Sequence, residues 1–321
     1  MAMSNKPVRV GLIGLGRMGQ NHLRVLSLLK SVELVFIADA DEATAQRLGK
    51  QFDVKGVADV DSVLDTADAV VICTPTVTHA DYIRLVAGKV RNIFVEKPLA
   101  DTLEEAALVA RFATEQGLNL QVGFIERFNP AVQSLKQVLD KSERVISIDF
   151  TRTNKLSARI TDVDVVTDLM IHDIDLALYL NGPARSVAAH GFAHGAMTDF
   201  ASALITHENG RFSRIQASRI TEKKMRLIEA TCVDMFVDCE LLRKEIIISR
   251  QSEIRQAEGQ PYTISAVQEA IEVRPQEALL SELQAFVASC QGQLSEDVPG
   301  VQDGLVAMQI CEDIQKAVAS C

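Results

Sequence analysis

Positive charge is scarce in this chain: 33 Lys and Arg stand against 43 Asp and Glu, a formal net charge of −10. Neutralising nucleic-acid phosphates takes clustered cations, so no nucleic-acid partner is expected, and at most a local basic pocket is compatible with this balance. Long apolar runs are also missing. None approaches the roughly 20 residues needed to span a bilayer, and the opening MAMSNKPVRV lacks the apolar region of a signal peptide. The expectation is a cytoplasmic protein with no membrane partner. The cysteines Cys73, Cys232, Cys239, Cys290, Cys311 and Cys321 are scattered without CxxC spacing. That excludes a zinc knuckle and a disulfide framework and leaves them as reduced packing residues. No internal repeat or low-complexity linker interrupts the chain.

What is present is enough apolar material, 47% of 321 residues, for about two domains. Apolar runs at 8–13, 33–38, 69–73, 92–95 and 119–123 alternate with helical stretches. This predicts an α/β N-terminal domain, a Rossmann-type doubly wound parallel sheet, over 1–124. The rhythm then changes. A helix near 128–140, a strand near 145–153 and an apolar helix over 168–180, stopped by Asn181, Gly182 and Pro183, open an α+β domain assigned to 125–321. Strand-like runs follow at 186–192, 200–207, 212–220, 226–232, 235–241 and 245–249 without helical interruption. They predict a large, mostly antiparallel sheet with a hairpin at Glu208-Asn209-Gly210, closed by amphipathic segments near 277–290 and 302–318. Ile228, Phe236, Val237, Ile246 and Ile248 supply more apolar sheet surface than a monomer comfortably exposes, so a homodimer or homotetramer through that sheet is expected.

The first strand runs into Gly14-Leu15-Gly16-Arg17-Met18-Gly19 and then a helical pattern. In that order the glycines permit a tight turn, close backbone approach to a pyrophosphate and close helix packing. Asp39 ends the next strand about twenty residues on, where a carboxylate binds adenosine ribose hydroxyls and favours NAD over NADP; Asp41 lies near enough to share that role. Thr74 and Pro75 follow a buried strand and are expected to line the cofactor cleft. His79 reads as a helix-start histidine with a structural hydrogen bond. Glu96-Lys97-Pro98 ends another strand on the crevice side. A partly desolvated Lys97 amine there can donate to a carbonyl oxygen or take a hydroxyl proton. On the helix over 168–180, Asp168, His172, Asp175 and Tyr179 form one polar stripe. Asp168, one turn before His172, can orient an imidazole for proton transfer or be part of a solvent-facing edge. A metal held by His172 and the aspartates lacks a further ligand at recognisable spacing, so no metal is expected.

Taken in order, GLGRMG, Asp39, CTPTVTHAD, EKPL, VGFIERFNPA and DLMIHDID resemble the glucose-fructose oxidoreductase, inositol dehydrogenase and MocA family. The resemblance reaches the C-terminal PQEALLSELQAFVASC and GVQDGLVAMQICEDIQ. It implies two domains, NAD as cofactor, and Lys97, Asp168 and His172 as the catalytic group passing hydride between nicotinamide and a substrate carbon. It also implies that Arg127 and Asn129 sit at cofactor and substrate. Within the family, ERFNPA with DLMIHDIDLALYL is most similar to the UDP-N-acetylglucosamine 3-dehydrogenases, which implies a sugar-nucleotide substrate. Arg152, Lys155 and Arg159 would be available for its diphosphate. Polyol dehydrogenases of the family carry glycines before the catalytic aspartate, whereas this chain has Thr161-Asp162-Val163-Asp164-Val165-Val166-Thr167. A free polyol or aldose is the alternative substrate, and a non-catalytic NAD-binding sensor is the alternative of another class.

Overall fold

The computed structural model describes residues 6–155, 164–195, 197–255, 263–293, 295 and 297–319. Two compact units divide the chain: Met1–Ile125 with Glu277–Gln309, and Glu126–Gln276 with Ile310–Cys321.

The first unit holds a six-stranded parallel sheet in the order β3-β2-β1-β4-β5-β6. Its strands are β1 (Val8–Ile13), β2 (Val32–Ala38), β3 (Gly56–Val57), β4 (Ala69–Ile72), β5 (Asn92–Glu96) and β6 (Asn119–Gly123). The helices α1 (Arg17–Leu26), α2 (Glu42–Phe52), α3 (His79–Ala87) and α4 (Leu103–Gln116) connect them. Strands β1, β4 and β5 are apolar on both faces and almost wholly buried, as a parallel sheet covered on both sides requires. The strand order reverses between β1 and β4, the switch point where open sheets of this kind bind ligands.

The sequence reading places the C-terminal amphipathic segments in the second domain, but residues 277–309 belong to the first unit. The reason is visible in α7 (Ala278–Cys290). Its Leu279, Leu283, Phe286 and Val287 join one buried cluster with Val10 and Leu12 of β1, Leu23 and Leu26 of α1, and Phe94 of β5. An Arg24–Glu277 ion pair fastens its start to α1.

The second unit is built on an eight-stranded mixed sheet in the order β14-β13-β12-β11-β7-β10-β9-β8. Its members are β7 (Val145–Thr153), β8 (Ala184–His194), β9 (Met197–His207), β10 (Phe212–Ser218), β11 (Met225–Cys232), β12 (Met235–Glu240), β13 (Glu245–Arg255) and β14 (Thr263–Ile271). All pairings are antiparallel except β7 with β10. The edge strand β14 is not among the strands expected from the sequence. On the inner face Ile148, Phe150, Ile215, Ile228, Val237, Ile246 and Ile248 are buried. Helix α5 (Pro130–Leu139) packs on β12 and β13, and α6 (Ile171–Asn181) packs on β7 and β10. Four of the five residues on which self-association was argued are therefore covered within the chain. The outer face instead exposes Leu204, Phe212 and Ile247. The chain ends in α8 (Val301–Ala319), and no helix among the described residues is long and apolar enough to cross a membrane.

Candidate active site

The glycine loop leaves β1 at Gly14, whose φ of +91° and amide bond to Ala38 O (2.8 Å) make the turn. A Cβ at Gly19 would stand 1.8 Å from Gly14 O, so this glycine lets α1 close on the loop. Gly16 differs: a Cβ there meets no heavy atom within 4 Å. No protein contact demands that glycine, and its open side is the one a pyrophosphate needs. Helix α1 has no acidic residue in its first turn and no side-chain cap at Gly16, which suits its N-terminal amides to an anion. Arg17 and Met18 are exposed beside it.

Asp39 is half-buried at the end of β2, its Oδ2 accepting from Leu15 N (2.7 Å) and its Oδ1 from Asp41 N (2.9 Å). The carboxylate is thus fixed against the glycine loop. Asp41 is given over to capping α2, with Oδ1 3.2 Å from Ala43 N, and its bond from Thr44 is the largest cause that lowers its pKa. A cavity of about 450 Å³ opens between these loops, lined by Gly14, Gly16, Asp39, Thr74, Pro75 and Tyr82 among others. The residues present fit a dinucleotide: a glycine cradle, a fixed carboxylate in the cavity lining and an apolar wall. Tyr82, one turn into α3, is a wall residue the sequence reading did not name; its only sequence signal is its place just after the Thr74-Pro75 loop.

Lys97 is half-buried just beyond β5, in the same unit. Glu96 is held by His22 of α1, with His22 Nε2 2.7 Å from Glu96 Oε1 and the imidazole wholly buried against Phe94. Cys73 Sγ completes a group of three possible ligand atoms within 4.8 Å. Burial, then the charges of Glu96 and Glu282, hold its thiol well above the ordinary range, which makes it a packing thiol rather than a thiolate ligand. His79 starts α3 and is buried, with Nδ1 2.8 Å from Pro98 O and Nε2 3.0 Å from Thr74 O. Burial pulls its pKa down against those two carbonyls.

In the second unit Asp168 lies in a π-helical turn, Val166–Met170, that passes into α6. Asp164 starts this turn: its Oδ1 accepts from Val166 N and Thr167 N, both 2.9 Å, and Gln315 of α8 donates to its Oδ2 at 2.6 Å. Asp168 and His172 are half-buried. The neighbouring acids have other duties. Asp175 takes a two-pronged bond from Arg127 (2.6 and 2.9 Å), whose guanidinium also lies 4.9 Å over the Tyr179 ring. Asp173 takes another from Arg152 (2.7 and 2.8 Å), and Arg152 Nη1 reaches Glu126 Oε1 at 2.9 Å. Arg226 donates to the same Glu126 oxygen at 2.9 Å, and Asn129 Nδ2 to the other at 3.1 Å.

This network bears on three expectations. Arg152 is 2% exposed and all three of its guanidinium nitrogens meet carboxylates, which makes it an internal counter-ion rather than a diphosphate ligand. Burial opposes its charge, but Asp173 and Glu126 more than offset this and raise its pKa. Arg127 is buried in the same manner, and Asn129 caps α5 through Ala131 N (3.1 Å). Lys155 is exposed and paired with Glu222 at 2.8 Å; Arg159 lies outside the described residues. Glu126, which joins the network together, is a residue the sequence reading passed over.

The oxidoreductase family model with an NAD-binding Rossmann fold matches residues 8–124, and the GFO/IDH/MocA C-terminal domain model matches 147–234. The chain is 30% identical to UDP-N-acetylglucosamine 3-dehydrogenase of Acidithiobacillus ferrooxidans, over 87% of this chain and 88% of the relative. Inositol 2-dehydrogenase of Rhizobium meliloti is 27% identical over 97% of both. A solved structure of the Acidithiobacillus enzyme superposes with a TM-score of 0.86, at 26% identity and covering 98% of each chain. With a glycine cradle, a fixed Asp39 and these matches along its length, the chain belongs to the GFO/IDH/MocA family of NAD-binding oxidoreductases.

Proposed function

We propose that this protein oxidises a secondary hydroxyl of a sugar or sugar nucleotide, with the 3-hydroxyl of UDP-N-acetylglucosamine as first candidate. The observation that carries the reading is the placement of two half-buried groups, Asp168 and His172, one turn apart on a helix that Asp173 and Asp175 anchor to buried arginines. NAD, when bound, supplies the hydride acceptor. Lys97 and His172 are the groups for the hydroxyl proton. One removes it and the other donates a hydrogen bond or charge to the developing oxyanion, with Asp168 orienting the imidazole. Support for the sugar nucleotide is the relative at 30% identity, and Lys155, paired with Glu222, is an exposed cation among the described residues that could exchange that partner for the diphosphate. Cytoplasmic location follows as part of the same reading. The outer face of the large sheet is where copies of the chain would associate, since Leu204, Phe212 and Ile247 are exposed there; sedimentation showing only monomer removes that part.

The test mixes purified protein, NAD and UDP-N-acetylglucosamine with a ketone trap and follows reduced-nicotinamide absorbance, beside myo-inositol and Lys97→Met. Signal with the sugar nucleotide that vanishes in the variant supports the reading. Signal with inositol alone moves the substrate to a polyol, in line with the relative that spans 97% of the chain. Silence with both, alongside tight NADH binding, favours the sensor.

A further inference from the structure

Lys97 sits between two residues that are each held by a buried histidine from a different helix. Glu96 precedes it and is bonded by His22 of α1 at 2.7 Å; Pro98 follows it, its carbonyl 2.8 Å from His79 Nδ1 of α3. Helix α1 begins at the glycine loop, and α3 follows the Thr74-Pro75 loop, so both histidines stand on helices that start from loops lining the nucleotide cavity. We propose that His22 and His79 form a two-sided brace that positions Lys97 by fixing its chain neighbours. The inference rests on the reading of Lys97 as the group acting at the substrate hydroxyl.

Three features support the brace over two unrelated core histidines. His22 Nδ1 has no hydrogen-bond partner among the described residues, so the ring's one polar contact of this kind is the bond to Glu96. The arrangement suits the tautomer with its proton on Nε2, because a buried unpaired N–H would cost more than a bare acceptor. Gly123 of β6 leaves room for this carboxylate, since a Cβ there would stand 3.0 Å from Glu96 Oε2. His79 Nε2 also lies 3.0 Å from Thr74 O, which sets the cavity-lining loop against the other side of the same rigid ring. A lysine amine at the end of a flexible four-carbon stem gains from a fixed backbone, because small misplacement at a reacting centre is costly in rate.

Amide side chains of two lengths separate positioning from packing. Asparagine places its nitrogen near the histidine Nδ1 position and glutamine near Nε2. The brace therefore requires opposite outcomes at the two sites: His22→Gln and His79→Asn keep the bond to Lys97's neighbour, while His22→Asn and His79→Gln lose it. The first readout needs neither substrate nor cofactor: Lys97 acetylation by acetic anhydride, followed against pH by mass spectrometry in the full chain. We expect His22→Gln and His79→Asn to stay within about 2-fold of wild type, and His22→Asn and His79→Gln to change the Lys97 rate by at least about 3-fold. The second readout is kcat with whichever of UDP-N-acetylglucosamine and myo-inositol the wild type turns over, where the same crossed pattern should reach about 10-fold. NADH titration and thermal midpoints accompany both. Labelling that is equal in all four variants, or that follows loss of thermal stability instead of crossing, overturns the brace. Full turnover by Lys97→Met overturns the catalytic reading instead and leaves the labelling result to be judged by itself.

Discussion

Replacing Arg152 with Met isolates the buried network of the second unit. The substitution roughly conserves stem volume while deleting three bonds: two to Asp173 at 2.7 and 2.8 Å and one to Glu126 at 2.9 Å. The consequences differ for the two acids. Glu126 retains Arg226 and Asn129 and stays ionised, its pKa held down by Arg152 and Arg226 against burial in the native protein. Asp173 loses its bidentate partner at a site 3% exposed. Burial already lifts its pKa against the pull of Arg152, and without that pull it rises further. Removing one partner of a buried pair costs about 3–5 kcal/mol. At roughly 2–4 °C per kcal/mol for a unit of this size, the thermal midpoint should fall by about 6–20 °C. The pH dependence has a definite sign. An acid whose folded pKa is raised is tolerated while it is protonated and loses stability as pH climbs from the unfolded toward the folded value. The gap between wild type and Arg152→Met should thus be wider at pH 8 than at pH 5.5. Calorimetry at the two pH values measures it, with Arg152→Lys expected in between because it keeps charge but not the fork. A midpoint loss under about 2 °C, or a gap that narrows as pH rises, refutes the assignment of Arg152 as an internal counter-ion.

The glycine loop gives a paired prediction. Gly16→Ala adds a methyl where no protein atom lies within 4 Å, so thermal stability should hold while NADH affinity by fluorescence titration falls about 10-fold or more. Gly19→Ala drives a methyl against Gly14 O, so stability and affinity should fall together; equal stability losses in the two variants would contradict this division. Asp39→Ala removes the acceptor for Leu15 N and Asp41 N. NAD affinity should drop while the ratio of NADP to NAD affinity rises, because a fixed carboxylate repels a 2′-phosphate; an unchanged ratio would move the selectivity elsewhere.

The parts of this molecule legible in its sequence are those where one residue answers a local demand. Gly14 and Gly19 serve a turn and a close approach within six positions, and Asp39 ends the adjacent strand, so spacing alone brings them together. Lys97 is legible for the same reason, as the residue after a buried parallel strand. What the pattern hides are choices decided by distant register. The strands β11 to β13 are apolar on both sides, with Ile228, Val237, Ile246 and Ile248 alternating with Leu227, Phe236 and Ile247. A period of two names two faces without saying which one a helix covers; α5 settles it. The polar stripe on the helix after Asp164 misleads differently. Its π-turn at Val166–Met170 breaks the α-helical phase assumed in counting from Asp168. Asp173, off that stripe, then proves to be the partner of Arg152 from β7. An arginine near a predicted substrate segment looks like a ligand for phosphate until the acid that claims it is found. Here that acid lies one residue after His172, so the same short segment supplies both the half-buried pair proposed for chemistry and the buried carboxylates that anchor it. The Arg152 and Arg127 pairs fix Asp173 and Asp175, and through them the helix on which Asp168 and His172 stand.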